Sequence, residues 1–331
     1  MDLDAFSAAR REDWNRLAQL SRHWRFSGEE ADELIDRYQA GASDLSAIKT
    51  TVGQSIQGDR LSLSLSRARL RFTGTSANVL EKIPIFFANE LPAALYRVRW
   101  LTLAVAAATI LIAVIYGTWL NDHPELLLKI GTADQLKDYA NQQFVGYYSA
   151  HPAPAFAGQV WTNNAWIAAQ SIAFGITGIW PVYMIVQNAE GVGQAGAIMS
   201  QYGRLDHFYL YIAPHGQLEL YSIFVAGATG LMIAWAWIAP GQRTRAAALS
   251  EDGRAFFTIV IGLIISLAVS GFIEGFITRQ DWPWPIKIGI GTVALAGFVF
   301  YQWYVGRRAT RGGETGDLSD FEAGARVITA A

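Results

Sequence analysis

The segment Trp100–Leu120 constrains this chain most, because it carries no Asp, Glu, Lys or Arg. A helix of this length extends roughly 31 Å at 1.5 Å per residue. That matches a bilayer hydrocarbon core of roughly 30 Å. The segment therefore predicts a helix that crosses a membrane.

Four further apolar segments are predicted to be membrane spans: 165–186, 218–238, 256–277 and 286–305. Trp and Tyr lie near the ends of several of them, as expected at membrane interfaces. Charged residues make up only 16% of the chain, against about 25% in ordinary soluble domains. Half of them lie before Trp100, which predicts a soluble region in front of a membrane region.

The distribution of arginine predicts a sixth span. Positively charged residues favour the cytoplasmic side of a membrane, and five spans would place two arginine-rich segments outside. An unusually polar crossing within 191–214 removes this conflict and puts both termini in the cytoplasm of a multi-pass protein. The segments concerned contain Arg97 and Arg99; Arg243, Arg245 and Arg254; and Arg307, Arg308 and Arg311.

The rest of the chain is predicted to be helical as well, so the fold class is an all-α membrane bundle. Residues 1–83 form a cytoplasmic helical region, in which Ser27 and Glu30 are spaced as a capping box at a helix start. Residues 84–99 form an amphipathic helix on the membrane interface. Residues 306–331 form a cytoplasmic tail.

Three ionisable residues of the predicted bundle are candidates for function. His215 and Glu219 are four residues apart after Pro214, so they share one helix face. Glu274 falls at a similar predicted depth in a later span. The three residues predict a structural polar cluster, a proton or ion pathway, or a divalent metal site. No other cofactor is predicted.

Other polar residues and glycines are predicted to support the bundle. Gly271 and Gly275 form a GxxxG pattern, which allows close helix packing within one protomer or across a homodimer. Gly227 and Gly230 favour close packing in the same way. The supporting polar residues are Asn163, Asn164, Arg204, Asp206 and His207.

The sequence lacks the standard patterns of soluble enzymes. It contains no Walker A loop, HExxH, GxSxG or EF-hand loop. It also contains no cysteine, so disulfides, thiolate nucleophiles and Cys-bound metals are excluded. A net charge of −2 gives no basic surface for nucleic acid.

Two motifs resemble those of the stage II sporulation protein M family. One is Pro214-His215-Gly216 followed by Glu219-Leu220, and the other is the stretch Ile273-Glu274-Gly275-Phe276-Ile277-Thr278. Asn163, Asn164, Gly175 and Gly178 resemble further family positions. The resemblance implies a bacterial inner-membrane protein and, in spore formers, a scaffold that recruits cell-wall hydrolases during engulfment.

The leading functional hypothesis is therefore a non-enzymatic membrane scaffold or assembly subunit. Its expected partners are the lipid bilayer, a second copy or other membrane proteins, and a cytoplasmic protein that docks on residues 1–99. The main alternative is a channel or transporter-like subunit that uses His215, Glu219 and Glu274. A weaker alternative is a membrane metalloprotein with the same three residues as ligands.

Overall fold

The computed structural model describes residues 3–23, 26–53, 55–72, 83–149 and 151–316. These residues contain helices and turns but no strand, which confirms the all-α fold class. The chain divides into two compact units, Met1–Pro84 and Ile85–Ala331.

The described residues of the N-terminal unit form three helices, α1 (Leu3–Leu20), α2 (Gly28–Thr51) and α3 (Ile56–Phe72). Each helix packs against the other two. The Ser27 side chain accepts from the Glu30 amide and the Glu30 carboxylate accepts from the Ser27 amide, which confirms the capping box. The shared core consists of Leu17, Leu20, Leu34, Ile48, Leu61, Leu65 and Ala68.

Ion pairs join α1 to α2 at the surface of this unit. Glu33 accepts hydrogen bonds from Arg16 at 2.7 Å and from Arg37 at 2.8 Å. Arg37 also pairs with Asp13 at 2.7 Å. The hydrogen bonds from Arg16 and then Arg37 lower the pKa of Glu33 from 4.5 to about 2.

The second unit is a bundle of six long helices. Four of its helical segments are long and apolar enough to cross a membrane: Ile83–Asp122, Leu205–Ile238, Ala248–Thr278 and Trp284–Arg311. The six helices are α4 (Leu91–Asp122), α5 (Ala153–Ala173), α6 (Ile179–Gln201), α7 (Leu205–Ile238), α8 (Arg245–Phe272) and α9 (Trp284–Phe300).

Helix α7 lies at the centre of this bundle and packs against all five other long helices. Small residues permit these contacts, because a run from Val225 to Gly230 is wholly buried. A Cβ on Gly230 would overlap the Ser171 carbonyl oxygen of α5 and lie 2.8 Å from Pro181 of α6. A Cβ on Gly227 would lie 3.1 Å from Ile185.

Short helical turns form a connecting segment between α4 and α5. They comprise Pro124–Leu127, Ala133–Asp138, the π-helical Tyr139–Gln143, and Phe144–Tyr147. The connecting segment is fastened by aromatic packing: Phe144 contacts Phe208 and Tyr211 of α7, and Tyr148 contacts Phe156 of α5. It therefore covers one end of the bundle near the first turns of α7.

The helix boundaries differ from those predicted for the two middle spans. The segment 165–186 is not one helix, because α5 ends at Ala173 and Gly178 adopts a φ of 66° before α6 begins. The segment 191–214 is likewise divided at Gly203, which has a φ of 68°. Left-handed glycines end helices without the strain that a Cβ would add.

The segment 84–99 is not a separate interfacial helix. A π-helical turn, Phe86–Glu90, runs directly into α4, and Leu91, Leu95 and Val98 are buried within the bundle. At the other end of the chain, α9 continues through the π-helical Tyr301–Val305 into α10 (Gly306–Arg311). Residues 317–331 of the predicted tail lie outside the described residues.

Substituting Gly230 with Ala should destabilise the bundle, because the new methyl group overlaps the Ser171 carbonyl. We expect a loss of about 1–3 kcal/mol, typical of overpacking, seen as a lower melting temperature in detergent. Gly289→Ala is the matched control, since its Cβ would meet no atom within 4 Å. Equal melting temperatures for the two variants would contradict the close contact.

Substituting Glu33 with Gln should weaken the junction of α1 and α2 at neutral pH. Since the pKa of folded Glu33 is lowered to about 2, its stabilising effect is present above pH 4.5. That effect is lost as the pH falls from 4.5 towards 2. Hydrogen exchange of α1 and α2 should therefore differ between wild type and variant at pH 7 and converge in acid.

Candidate metal centre

His215, Glu219 and Glu274 come together inside the membrane unit. One possible ligand atom from each lies within 4.8 Å of the other two. The His215 Nε2 atom is 3.8 Å from Glu274 Oε1. Residues up to 59 positions apart in sequence thus form one compact group of an imidazole and two carboxylates.

Helix α7 supplies two of the three residues. His215 and Glu219 are one turn apart, directly after Pro214. Because α7 already begins at Leu205, Glu219 lies more than three turns into the helix. It is therefore not placed to bind free N–H groups at a helix N-terminus.

The third residue lies in a π-helical segment, Ile273–Thr278, that continues α8. A π-turn inserts an extra residue into a helix and often occurs at functional sites. It turns both Glu274 and Thr278 towards α7, since Thr278 Oγ1 is 3.3 Å from His215 Nδ1. The π-helical segment therefore carries both Glu274 and Thr278 next to the imidazole.

Neutral side chains surround the group. Ser270 Oγ lies within hydrogen-bond distance of the His215 carbonyl at 3.1 Å and of Glu219 Oε2 at 3.4 Å. Asn164 of α5 is a further hydrogen-bonding neighbour of Glu219. Glu219 thus has partners on two other helices.

The Glu274 carboxylate has no such partners. It is only 4% exposed, yet no described residue donates a hydrogen bond to it. Within the described part of the chain, no Lys or Arg side chain forms an ion pair with Glu219 or Glu274 either. Two carboxylates are thus held close together with His215 as the one basic group in contact.

Lys287 of α9 is near the group but is already engaged. Its Nζ donates to the carbonyls of Thr278 at 3.0 Å and Gln280 at 2.9 Å, and lies 3.3 Å from the Trp284 ring centroid. These contacts bind the free carbonyls at the end of the π-helical segment. Lys287 therefore fixes the backbone that carries Glu274 and Thr278.

Tyr148, at the end of the connecting segment, lies over the group, with Tyr147 beside it. The Tyr148 ring lies 5.8 Å from the His215 ring and 5.2 Å from Tyr211. Burial, and then the charge of Glu274, raises the pKa of Tyr147 to about 12 and that of Tyr148 still further. Both phenols therefore stay neutral, and the buried Tyr148 ring covers the imidazole.

The other predicted polar residues lie elsewhere. Asn163 is exposed, unlike Asn164. Arg204 donates to Asn141 of the connecting segment at 3.1 Å, and Asp206 pairs with His207 at 3.0 Å in the first turn of α7. None of these four contacts the imidazole and carboxylates.

The GxxxG glycines face the interior of the protomer. A Cβ on Gly271 would lie 3.0 Å from the Ala157 carbonyl oxygen of α5, and one on Gly275 would lie 2.8 Å from the Ala157 Cβ. Of the two interpretations of this pattern, the structure favours packing within one protomer.

Sequence reasoning did not single out Ser270, Lys287 or Tyr148. For two of these residues, a pattern in the sequence could have indicated the role. Ser270 is one turn before Glu274, and Lys287 is the one charged residue within 284–306, where an intramembrane charge indicates a structural or functional role. No pattern could have indicated the role of Tyr148, because its contact depends on how the connecting segment folds.

Residues 102–279 match the family Stage II sporulation protein M. Since this match covers more than half of the chain, the chain belongs to that family, and the resemblance based on the His215 and Glu274 motifs is confirmed. Residues 4–74 match a domain of unknown function (DUF8413). No curated protein and no solved structure matches the chain significantly.

Replacing Lys287 with Met should destabilise the bundle by about 1–3 kcal/mol, the usual cost of buried carbonyls left without a donor. Lys287→Arg should retain much of the stability, because a guanidinium can also donate to two carbonyls. Lys129→Met, at an exposed position, is the control. Melting temperatures of the three variants test this, and similar values for both Met variants would contradict the capping role.

Proposed function

We propose that the chain is a non-enzymatic inner-membrane scaffold whose bundle is clamped by a divalent metal ion at His215, Glu219 and Glu274. The observation that carries the metal site is the convergence of three ligand atoms within 4.8 Å. This convergence occurs where no Lys or Arg of the described residues neutralises the carboxylates.

The charge of the group supports a cation. Burying a carboxylate without a charge partner is costly, and two side by side repel each other as well. Either a shared proton or a metal ion would remove that cost. The Glu274 carboxylate accepts no hydrogen bond from the described residues, so its oxygens are free to bind a metal ion. Carboxylate oxygen and imidazole nitrogen are ligands that zinc and manganese accept.

The orientation of His215 also supports metal binding. Thr278 Oγ1 lies 3.3 Å from Nδ1, so it can accept from a protonated Nδ1. The Nε2 lone pair then points towards Glu274. Metal-binding histidines are commonly oriented by such a partner on the other ring nitrogen. Ser270 and Asn164 would orient Glu219 in the same way.

A metal at this position would join the central helix to the end of α8. His215 and Glu219 belong to α7, and Glu274 belongs to the π-helical segment after α8. Such a cross-link would hold the bundle rigid beneath the connecting segment, which suits a scaffold. The N-terminal three-helix unit would then be the docking module for a cytoplasmic partner.

We also propose six crossings with both termini in the cytoplasm. Helices α5 and α6, with 21 and 23 residues, extend roughly 31 and 34 Å at 1.5 Å per residue. Arg97 and Arg243 both pair with Asp252, so arginines from two separate segments meet at one end of the bundle. That arrangement is typical of a cytoplasmic face.

Metal analysis of the purified chain tests this proposal. We expect one equivalent of zinc or manganese to bind wild type, and affinity to fall more than about 100-fold in His215→Ala and Glu274→Gln. Loss of a partner that only orients a ligand typically costs 10–100-fold, so Thr278→Val should show the smaller effect. Glu190→Gln, which removes a carboxylate of α6 away from the group, is the control.

Thermal unfolding with and without a chelator completes the test. Chelation should lower the melting temperature of wild type but not that of Glu274→Gln, because a bound ion stabilises only the folded state. The clamp would be contradicted if the wild type contained no metal and a chelator left its melting temperature unchanged. Ion flux in proteoliposomes that depends on Glu274 would favour the channel alternative instead.

A further inference from the structure

Helices α4, α6 and α7 enclose a groove at one end of the membrane unit. Its volume is about 440 Å³, within the range of roughly 300–1,000 Å³ that small-molecule sites occupy. Residues of α4 between 110 and 122 and of α6 between 192 and 200 form two of its walls. The start of α7 forms the third wall, with Leu205, Phe208 and Tyr209.

The groove lies on a surface that faces lipid. The side chains of Ile110 and Val114 are each 56% exposed, and that of Tyr209 is 62% exposed. Glycines form its floor, because a Cβ on Gly117 of α4 would lie 3.0 Å from the Gly193 carbonyl oxygen of α6. The groove is therefore a depression between two helices that approach each other at membrane depth.

The length and polarity of the groove match one lipid molecule. Between Ile110 and Asp122, α4 rises roughly 18 Å at 1.5 Å per residue. Half of a hydrocarbon core of roughly 30 Å is roughly 15 Å, so the groove is about as long as one leaflet is deep. At its far end the apolar walls give way to the polar residues Thr118, Asn121, Asp122 and Ser200.

Two of these polar groups are available for a headgroup. Asn121 is already engaged, since its carbonyl accepts from Gln201 at 2.6 Å. The exposed Asp122 carboxylate and the Ser200 hydroxyl form no hydrogen bond or ion pair with any described residue. A carboxylate attracts a cation and repels an anion, and no Lys or Arg lines the groove. The polar end therefore favours a headgroup that carries a positive charge.

We infer that the groove binds an aminophospholipid, with one acyl chain along α4 and α6 and the ammonium group at Asp122. An ammonium has three hydrogen-bond donors for the carboxylate, and the Ser200 hydroxyl can donate to the lipid phosphate. Arg97 lies 25 residues before Asp122 on α4, roughly 37 Å away and so at the opposite end of the bundle. In the proposed topology, the lipid belongs to the outer leaflet.

Native mass spectrometry of the full chain in detergent tests the headgroup. The probes are phosphatidylethanolamine, phosphatidylcholine and phosphatidylglycerol with identical acyl chains. We expect phosphatidylethanolamine to bind about threefold to fivefold more tightly than phosphatidylglycerol, the size of an exposed charge interaction. Phosphatidylcholine should fall between them, because its quaternary ammonium cannot donate a hydrogen bond. Equal binding of phosphatidylethanolamine and either other lipid would overturn the inference.

A charge variant tests the role of Asp122. Asp122→Asn should abolish the preference for phosphatidylethanolamine over phosphatidylglycerol, because the side chain keeps its size but loses its charge. Glu125→Gln is the matched control, since Glu125 is an exposed carboxylate three residues on that does not line the groove. A preference that survives in Asp122→Asn, or is lost equally in both variants, would overturn the assignment of the ammonium group to Asp122.

Filling the groove tests the position of the acyl chain. A Cβ on Gly196 would meet only the Phe208 ring, at 3.7 Å, so Gly196→Leu should fill the groove without a backbone clash. We expect it to weaken the binding of phosphatidylethanolamine at least fivefold. Gly289→Leu on α9 is the control, because a Cβ there meets no atom within 4 Å. Equal affinities in the two variants would contradict this position.

A phosphatidylethanolamine with a photoreactive diazirine in its acyl chain locates the lipid directly. Labelling should fall on peptides of α4 and α6. Labelling confined to α8 and α9, which border another apolar cavity, would overturn the inference. Binding should be the same with and without a chelator, so lipid binding by a metal-free chain supports this inference even if the metal clamp is wrong.

Discussion

The burial of two carboxylates beside one imidazole is the interaction on which the membrane unit depends. His215, Glu219 and Glu274 place possible ligand atoms within 4.8 Å of one another, and no Lys or Arg of the described residues forms an ion pair with either carboxylate. Such an arrangement is unstable for three ionised or unsatisfied groups, unless a cation or a proton is shared. The surrounding structure restrains these three groups, and the proposed metal ion would be held among them.

The support comes from four directions. Helix α7 carries two of the three groups at the centre of the bundle, where small residues such as Gly230 let its neighbours approach. The π-helical segment after α8 presents Glu274 and Thr278, and Lys287 of α9 binds the carbonyls at its end. Tyr148 and the connecting segment close the remaining side. Each contact restrains the position of the imidazole or of a carboxylate.

Most helices and part of the candidate site could be predicted from the sequence, because the patterns that indicate them are strong and local. Uncharged stretches such as Trp100–Leu120 identify helices of membrane length, and the Ser27–Glu30 spacing identified a helix start. The i, i+4 spacing placed His215 and Glu219 on one face. Gly178 and Gly203 were not predicted to end helices. A search for long apolar segments averages over many residues, so it does not detect one glycine with a positive φ. The π-helical turn at Glu274 and the approach of Tyr148 depend on tertiary packing, which no local pattern encodes.

X-ray absorption spectroscopy on the purified chain loaded with one equivalent of zinc shows whether His215 binds the metal ion. We predict an inner shell of nitrogen and oxygen at about 2.0–2.2 Å, with the outer-shell scattering of a single imidazole. That scattering should disappear in His215→Ala. A shell of oxygen alone in wild type, or a spectrum that His215→Ala leaves unchanged, would contradict a metal held by His215, Glu219 and Glu274.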